Sequence, residues 1–214
     1  MASEIKLFLF DLDGTLIDSK RDIANSVHHT MKMLGLPAID DDVIYSFVGN
    51  GVTPLIQKSV EVSGGHSFEK ALEIFKAHYD QHLLDTTKLF DGVEEVLEYF
   101  HKIPKVVITN KSQGYSEKIL KGLGVMKYFE GVYGGDTSFP KKPNPALVHH
   151  LLKEFGVSPK ETAIIGDGRV DIETGKNAGI LTCGVTYGFR PLKEIQESGC
   201  DFLIYSPKEI LELF

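Results

Sequence analysis

Two aspartates near the start of the chain, Asp11 and Asp13, have the type and spacing to do chemistry. They follow the apolar run 7–10, which is too short for a helix and predicts a buried strand, and Gly14 lets the chain turn away after them. In open α/β sheets the ligand crevice lies beyond the carboxyl ends of the strands, so the pair is expected there. Two such close carboxylates repel, and a bound cation such as Mg²⁺ relieves the repulsion. The alternative is a polar turn after an edge strand.

A second polar cluster, Thr109 and Asn110, directly follows the apolar strand predicted over 105–108. A hydroxyl, an amide and free backbone N–H groups at that point can bind phosphate oxygens without adding charge. The alternative is ordinary turn chemistry.

Lys142 lies in a loop that contains two prolines, Pro143 and Pro145. Prolines stiffen the chain, so the lysine can be held at a fixed place, where its ammonium would act as a point charge on a phosphoryl oxygen. The alternative is a solvated lysine on a surface loop.

Another acidic pair, Asp167 and Asp171, follows the apolar run 162–165 and begins a predicted helix. Asp167 is expected to project over the same sheet edge as Asp11, with Asp171 one helical turn later. The alternative is that Asp171 only stabilises the helix, as a negative charge near the positive end of the helix dipole. All four clusters fall at strand ends or in the loops after strands, and that joint occurrence indicates one site.

These clusters require a parallel sheet to bring them together. From residue 89 onward strand and helix patterns alternate, with strands predicted over 105–108, 131–134, 162–165, 181–185 and 201–205, whereas residues 17–84 show only helical spacing. The prediction is an α/β fold: a Rossmann-like parallel sheet core, residues 1–16 and 85–214, with an inserted all-helical cap domain, residues 17–84. Within the cap, Thr53 is the predicted N-cap of a helix with Pro54 at its first position.

A glycine-flanked turn, Gly49, Asn50 and Gly51, precedes that cap helix. Flexible backbone N–H groups next to a helix N-terminus form a natural anion site, which would hold the carboxylate of a small substrate if the cap closes over the crevice. The alternative is a tight turn between two cap helices.

Bulk properties exclude several classes of protein. The 214 residues carry a net charge of −7 and no stripe of lysine or arginine, which argues against a nucleic-acid or anionic-membrane partner. Two cysteines and the lack of a signal-peptide pattern before the first strand indicate a cytoplasmic protein. No apolar stretch approaches the roughly 20 residues that span a bilayer. The expected assembly is a monomer or a homodimer that acts on a small molecule.

The order of the four clusters resembles the haloacid dehalogenase (HAD) superfamily of phosphohydrolases, in which Asp-x-Asp-Gly-Thr, a Thr or Ser, a Lys and Gly-Asp-x-x-x-Asp occur in turn. The resemblance covers the whole chain, including the place of the helical cap. The segments 17–19, 34–37 and 48–52 are similar to those of the phosphoglycolate phosphatase-like branch. The chain departs from the pattern at Gly168 and Arg169, where serine is common after the aspartate, and at Lys20 and Arg21.

The resemblance implies a Mg²⁺-dependent phosphomonoester hydrolase that acts on a small phosphorylated metabolite. Asp11 would be the nucleophile that becomes an aspartyl phosphate, and Asp13 would protonate the leaving alcohol and then activate water. The resemblance also implies the remaining roles. The metal would be bound by Asp11, the Asp13 backbone carbonyl and Asp167, with Asp171 at or next to the metal. The phosphoryl oxygens would be bound by Thr109 and Lys142, with Asn110 in support through its backbone.

Two other functions remain open at this point. A sugar-phosphate mutase with the same core would pass the phosphoryl group to a second hydroxyl instead of to water. A receiver module would be phosphorylated on aspartate as a signal, but receivers carry that aspartate at a later strand and have no helical insertion after the first one.

Overall fold

The structure, a computed structural model, describes residues 4–214 and contains one large sheet beneath a helical cap. The core elements, in chain order, are β1 (Leu7–Phe10), β2 (Ile17–Asp18), β3 (Lys88–Leu89), α5 (Val93–Tyr99), β4 (Lys105–Ile108), α6 (Gln113–Gly122), β5 (Gly131–Tyr133), α7 (Ala146–Phe155), β6 (Thr162–Gly166), α8 (Arg169–Ala178), β7 (Leu181–Val185), α9 (Leu192–Ser198), β8 (Phe202–Ile204) and α10 (Ile210–Leu213). The cap elements, between β2 and β3, are α1 (Lys20–Met33), α2 (Asp41–Phe47), α3 (Val52–Val62) and α4 (Phe68–His82).

The large sheet is parallel and has the strand order β5-β4-β1-β6-β7-β8. β1 lies at its centre, with Leu9 in register with Val106 of β4 and Ile164 of β6, and all three side chains are buried. Strands buried on both faces need continuous apolar runs, which is why these segments lack alternation. The carboxyl ends of β4, β1 and β6 are therefore neighbours. The predicted Rossmann-like core is confirmed.

The four cap helices bury apolar side chains, among them Val27 and Met31 of α1, Ile56 of α3 and Phe75 of α4, in a cluster that continues into the core. α1 and α4 make the most extensive contact. The predicted helical cap is confirmed, whereas the exact domain limits at residues 17 and 84 stay predictions. No helix among residues 4–214 combines the length and the apolar character needed to cross a bilayer.

Two local predictions for the cap are wrong. Ile17–Asp18 is a strand, not part of the helical block, and pairs antiparallel with Lys88–Leu89 where the chain leaves and re-enters the core. α3 begins at Val52 with Gly51 as its N-cap, so Pro54 is the third helical residue. Gly51 makes the turn with φ +91°, a conformation that favours glycine, and Pro54 still occupies the first turn, where a missing N–H costs nothing. Smaller differences of one residue at an end occur at β5, β6 and β8.

Asp22 joins the two chain crossings between cap and core. Its carboxylate, 1% exposed, accepts the backbone N–H groups of Thr86 and Thr87, at 3.0 and 2.8 Å, and both threonine hydroxyls, at 2.7 and 2.8 Å. Burial alone would raise the pKa of Asp22, but these hydrogen bonds bring that pKa below its usual value. The start of α1 is thus fixed to the chain segment that returns to the core.

We expect Asp22→Asn to lower the free energy of unfolding by about 1–3 kcal/mol, because the amide leaves buried donors without an acceptor. Denaturant unfolding at pH 7 measures this, with the exposed Asp42→Asn as the matched control. The folded-state pKa of Asp22 is lowered, so the stabilisation is present above the unfolded carboxyl pKa of about 4 and shrinks as the pH falls below it. Equal stabilities of the two variants would contradict this role.

Candidate active site

Three buried carboxylates meet at the carboxyl edge of the sheet. Asp11 follows β1, Asp167 follows β6, and Asp171 lies in the first turn of α8. Each offers one oxygen that lies within 4.8 Å of those of the other two, and no other group of this kind occurs among residues 4–214. The structure therefore brings together three of the predicted metal-site residues.

Lys142 lies against this cluster. This agrees with the expectation that the two prolines of its loop hold the lysine at a fixed place. Its Nζ is 2.7 Å from Asp11 Oδ1 and also donates to an oxygen of Asp171. Asn110 fixes the lysine through its side chain: its Oδ1 accepts the Lys142 N–H at 3.1 Å and its Nδ2 donates to the Lys142 carbonyl at 3.4 Å. These contacts come from the Asn110 side-chain amide, whereas support from its backbone stays a prediction.

The charge balance of the cluster favours a cation. Burial raises the pKa of Asp11 to about 6, although the Lys142 ammonium opposes this, and the Asp171 charge adds to the rise. Burial, Asp11 and Asp171 together raise the pKa of Asp167 well above its usual value. Three carboxylates face one ammonium here, and hard oxygen ligands of this kind suit Mg²⁺. The residues present therefore fit a divalent cation.

Asp167 is held between two glycines and one backbone donor. A Cβ atom at Gly14, where φ is +86°, would lie 2.2 Å from Asp167 Oδ2, and one at Gly188 would lie 2.3 Å from Asp167 Cβ. The N–H of Phe189 donates to Asp167 Oδ2 at 2.7 Å. Only glycine leaves room for the carboxylate at these two positions, so the loop after β7 helps to position Asp167.

Asp13 lies apart from the three-carboxylate cluster. Both of its carboxylate oxygens are 3.1 Å from Lys111 Nζ, and Oδ1 accepts the Ser19 hydroxyl. The Lys111 ammonium also donates to the hydroxyl of Tyr79 of α4, at 2.7 Å. The metal role implied for Asp13 concerns its backbone carbonyl and stays a prediction.

Lys111, Tyr79 and Ser19 are not among the site residues predicted from the sequence. Lys111 stands directly after Asn110, so its place next to a motif is the signal that points to it. Tyr79 belongs to the apolar stripe of α4, where the period shows a buried residue but not a polar contact at its tip.

A cavity of about 50 Å³ separates the cap from the strand ends. Its floor comprises Asp11, Asp13, Thr109, Lys111 and Ser112, and its remaining walls comprise Ile23, Val48, Gly49, Gly51, Val52, Leu55, Phe75, Tyr79 and Tyr115. A space of this size has room for a few water molecules, so it suits a small substrate. Thr109, a predicted phosphate-binding residue, lies on this floor.

Part of the predicted glycine turn reaches the cavity. Gly49 and Gly51 line it, whereas Asn50 is exposed and does not. The Asn110 Nδ2 donates to the Gly49 carbonyl at 3.2 Å, which attaches the turn to the core. Arg190 of the core, also missed from the sequence, donates to the Ser46 carbonyl at 2.9 Å and to the Val48 carbonyl at the end of α2.

The departures from the family pattern lie outside the cavity. Arg169 is exposed and pairs with Glu173 at 2.7 Å, so it forms a surface ion pair. Lys20 lies between cap and core, with Nζ 5.7 and 5.9 Å from the ring centroids of Tyr45 and Phe189.

The sheet, the cap and the acidic cluster with its lysine define a capped α/β enzyme with a Rossmann-like core. The profile of the family described as Haloacid dehalogenase-like hydrolase matches residues 8–185, which include all four clusters. The chain belongs to the haloacid dehalogenase-like hydrolase family and is an enzyme of that class.

Relatives cover nearly the whole chain. Proteins named phosphoglycolate phosphatase from Vibrio parahaemolyticus and Colwellia psychrerythraea are 36% and 37% identical to it, over 98% and 97% of this chain and 96% of each relative. A solved structure described as a predicted phosphoglycolate phosphatase from Haemophilus somnus has a TM-score of 0.95 at 29% identity and covers 100% of this chain and 99% of its own. The predicted family is confirmed.

Proposed function

We propose that the protein is a Mg²⁺-dependent phosphomonoester hydrolase that forms an aspartyl phosphate and acts on a small, phosphoglycolate-like metabolite. The observation that carries the proposal is the placement of Asp11 and Asp13 on the floor of one cavity, with Lys142 against Asp11 and Lys111 against Asp13. This arrangement supports Asp11 as the attacking carboxylate and Asp13 as the group that exchanges protons with the leaving group.

In the first half-reaction an Asp11 carboxylate oxygen attacks the phosphorus atom of the substrate. The bond between phosphorus and the ester oxygen breaks, and the electron pair leaves with that oxygen, which takes a proton from Asp13. The Lys142 ammonium and the Thr109 hydroxyl stabilise the charge on the phosphoryl oxygens. The products are a free alcohol and a phosphoryl group on Asp11.

In the second half-reaction Asp13, now a carboxylate, takes a proton from water as the water oxygen attacks phosphorus. The bond between phosphorus and the Asp11 oxygen breaks, which releases inorganic phosphate and restores Asp11. The same residue therefore acts as acid and then as base, and its place beside the cavity serves both steps.

Mg²⁺ would be held by Asp11, Asp167 and the Asp13 backbone carbonyl, with Asp171 next to it through its contacts to Lys142 and the Gly168 N–H. When bound, it would neutralise charge between the attacking carboxylate and the dianionic phosphate. The crowding of buried carboxylates supports this assignment, since one ammonium leaves them undercompensated.

We expect Mg²⁺ to bind about 10-fold more weakly at pH 5 than at pH 7, because a carboxyl with a pKa of about 6 must lose its proton to bind metal. The raised pKa of Asp167 acts in the same direction. Calorimetric titration of the metal-free protein across this range measures the effect. An affinity that is constant between the two pH values would contradict it.

The proposed substrate is a short ester that carries a carboxylate. Relatives named phosphoglycolate phosphatase, the small cavity and the glycine turn support this choice. Gly49 and Gly51 lie at the cavity wall, and backbone N–H groups of this turn would hold the carboxylate, with Asn50 as a further candidate from the sequence.

The test is a phosphate-release assay on phosphoglycolate and on ethyl phosphate, which has a similar size but no carboxylate. We expect kcat/KM to be at least about 10-fold higher for phosphoglycolate than for ethyl phosphate, because a hydrogen bond to a charged group contributes that much binding free energy. Equal rates would reject a carboxylate-specific site. Transfer of the phosphoryl group to a second sugar hydroxyl, without steady phosphate release, would instead favour a mutase.

We also infer a cytoplasmic protein, a monomer or a homodimer, without nucleic-acid or membrane partners. The net charge of −7 and the two free thiols, Cys183 and Cys200, support this inference.

A further inference from the structure

Lys111 is a buried cation that faces the cavity from the core. It follows β4 by three residues, and its side chain is 8% exposed. Among the described residues that line the cavity, it alone has a cationic side chain, because Lys142 lies beneath the floor with Asp11 and Asp171. An anionic group of a substrate, other than its phosphoryl group, would therefore meet Lys111.

The cap completes the surroundings of this ammonium. Tyr79 of α4, itself 2% exposed, accepts a hydrogen bond from Lys111 and presents its ring 4.8 Å from Nζ. The remaining cap residues at the cavity are aliphatic, aromatic or glycine. Charge interactions are stronger in such apolar surroundings than in water, so one ammonium there can discriminate strongly between charged and neutral ligands.

The contact between Lys111 and Asp13 is a long one. Both N–O distances are 3.1 Å, longer than the 2.7–2.9 Å typical of charge-assisted hydrogen bonds. Together with the bond to Tyr79 they engage the three N–H donors of the ammonium, so a ligand oxygen would take the place of one of the long contacts to Asp13. The ammonium therefore can bind a carboxylate by exchanging a long contact to Asp13 for a contact to the ligand.

We infer that Lys111, together with the Tyr79 hydroxyl, forms a subsite that recognises a carboxylate on the substrate, which makes Lys111 a specificity-determining residue. This inference rests on the proposed hydrolase function and adds two side chains to the glycine turn as the groups that recognise the carboxylate. One residue comes from the core and one from the cap, so the subsite is complete only when the cap covers the strand ends.

The test measures binding of phosphoglycolate and of ethyl phosphate by calorimetry, with Mg²⁺, in an Asp11→Asn background that does not consume the ligands. We expect Lys111→Met to reduce the preference for phosphoglycolate by about 10- to 100-fold, the range for a hydrogen bond to a charged group. Lys111→Arg should keep most of the preference, because it keeps the charge. Tyr79→Phe should reduce it by a smaller factor.

Lys118→Met is the matched control. Lys118 also joins the core to α4, through Asp80 at 3.0 Å, but lies outside the cavity, so its loss removes a contact between cap and core without removing a cavity charge. We expect this variant to keep the full preference. Melting temperatures of all variants show whether each is folded.

The outcomes separate the two proposals. If folded Lys111→Met keeps the full preference for phosphoglycolate, the subsite is overturned and the glycine turn is left as the source of selectivity. If Lys111→Met does not fold, an undiminished preference in Tyr79→Phe has the same consequence. If the unmutated chain releases no phosphate from any ester but Lys111→Met still loses the binding preference, the hydrolase proposal fails and the subsite stands.

Discussion

Asp11→Asn is expected to reduce kcat by about four orders of magnitude or more, the scale of losing a catalytic nucleophile. An amide does not attack phosphorus, so the first half-reaction is lost. Release of inorganic phosphate from phosphoglycolate at pH 7 with Mg²⁺ measures this, and the exposed Asp91→Asn serves as the control.

The fold should tolerate this substitution. The raised pKa of Asp11 shows that the charged carboxylate is disfavoured in its buried place, and an amide of the same shape removes that charge. The melting temperature of the metal-free variant should therefore equal or exceed that of the unmutated protein. Phosphate release within tenfold of the unmutated rate would reject Asp11 as the nucleophile.

Asp13→Asn is expected to reduce kcat for an alkyl ester such as phosphoglycolate by about 10²–10⁴, the usual contribution of a general acid or base. p-Nitrophenyl phosphate has a leaving group that needs no proton, so its first half-reaction should recover in part. The second half-reaction still lacks its base. Rapid mixing should then show a burst of nitrophenol, about equal to the enzyme concentration, followed by slow turnover.

A different pattern would contradict the acid role of Asp13. Equal losses for the two esters, with no burst, would indicate that Asp13 acts only by holding Lys111 and Ser19 in place. Ser19→Ala is the comparison, since it removes one contact of Asp13 and leaves its carboxyl group.

The sequence predicted those parts of the site that a regular element positions. Asp11 and Asp167 each follow a strand whose apolar run is unmistakable, and parallel strands bring their carboxyl ends to one edge whatever the loops do. Lys142 was predictable because two prolines restrict its loop. These inferences need only the strand pattern and the identity of the next residue.

The missed residues depend on how separate elements approach one another. Arg190 meets the end of α2, and Tyr79 meets Lys111, across the boundary between cap and core. No local period encodes such a meeting, because it depends on the angle between two domains. The strand at Ile17–Asp18 was missed for a related reason: two residues are too few to show alternation, and its partner lies 70 residues away.

The contacts that keep the cap over the site differ in kind from those that hold the sheet. Beyond the paired strands β2 and β3, the hydrogen bonds between cap and core in residues 4–214 each involve a side chain, as in Asn110 to Gly49 and Arg190 to Ser46. Water can replace such a side chain one bond at a time, so the cap can lift without breaking any backbone ladder. Among the polar contacts, entry of ester and exit of phosphate then require only the exchange of side-chain hydrogen bonds for water, while the strands that carry Asp11 and Asp167 stay fixed.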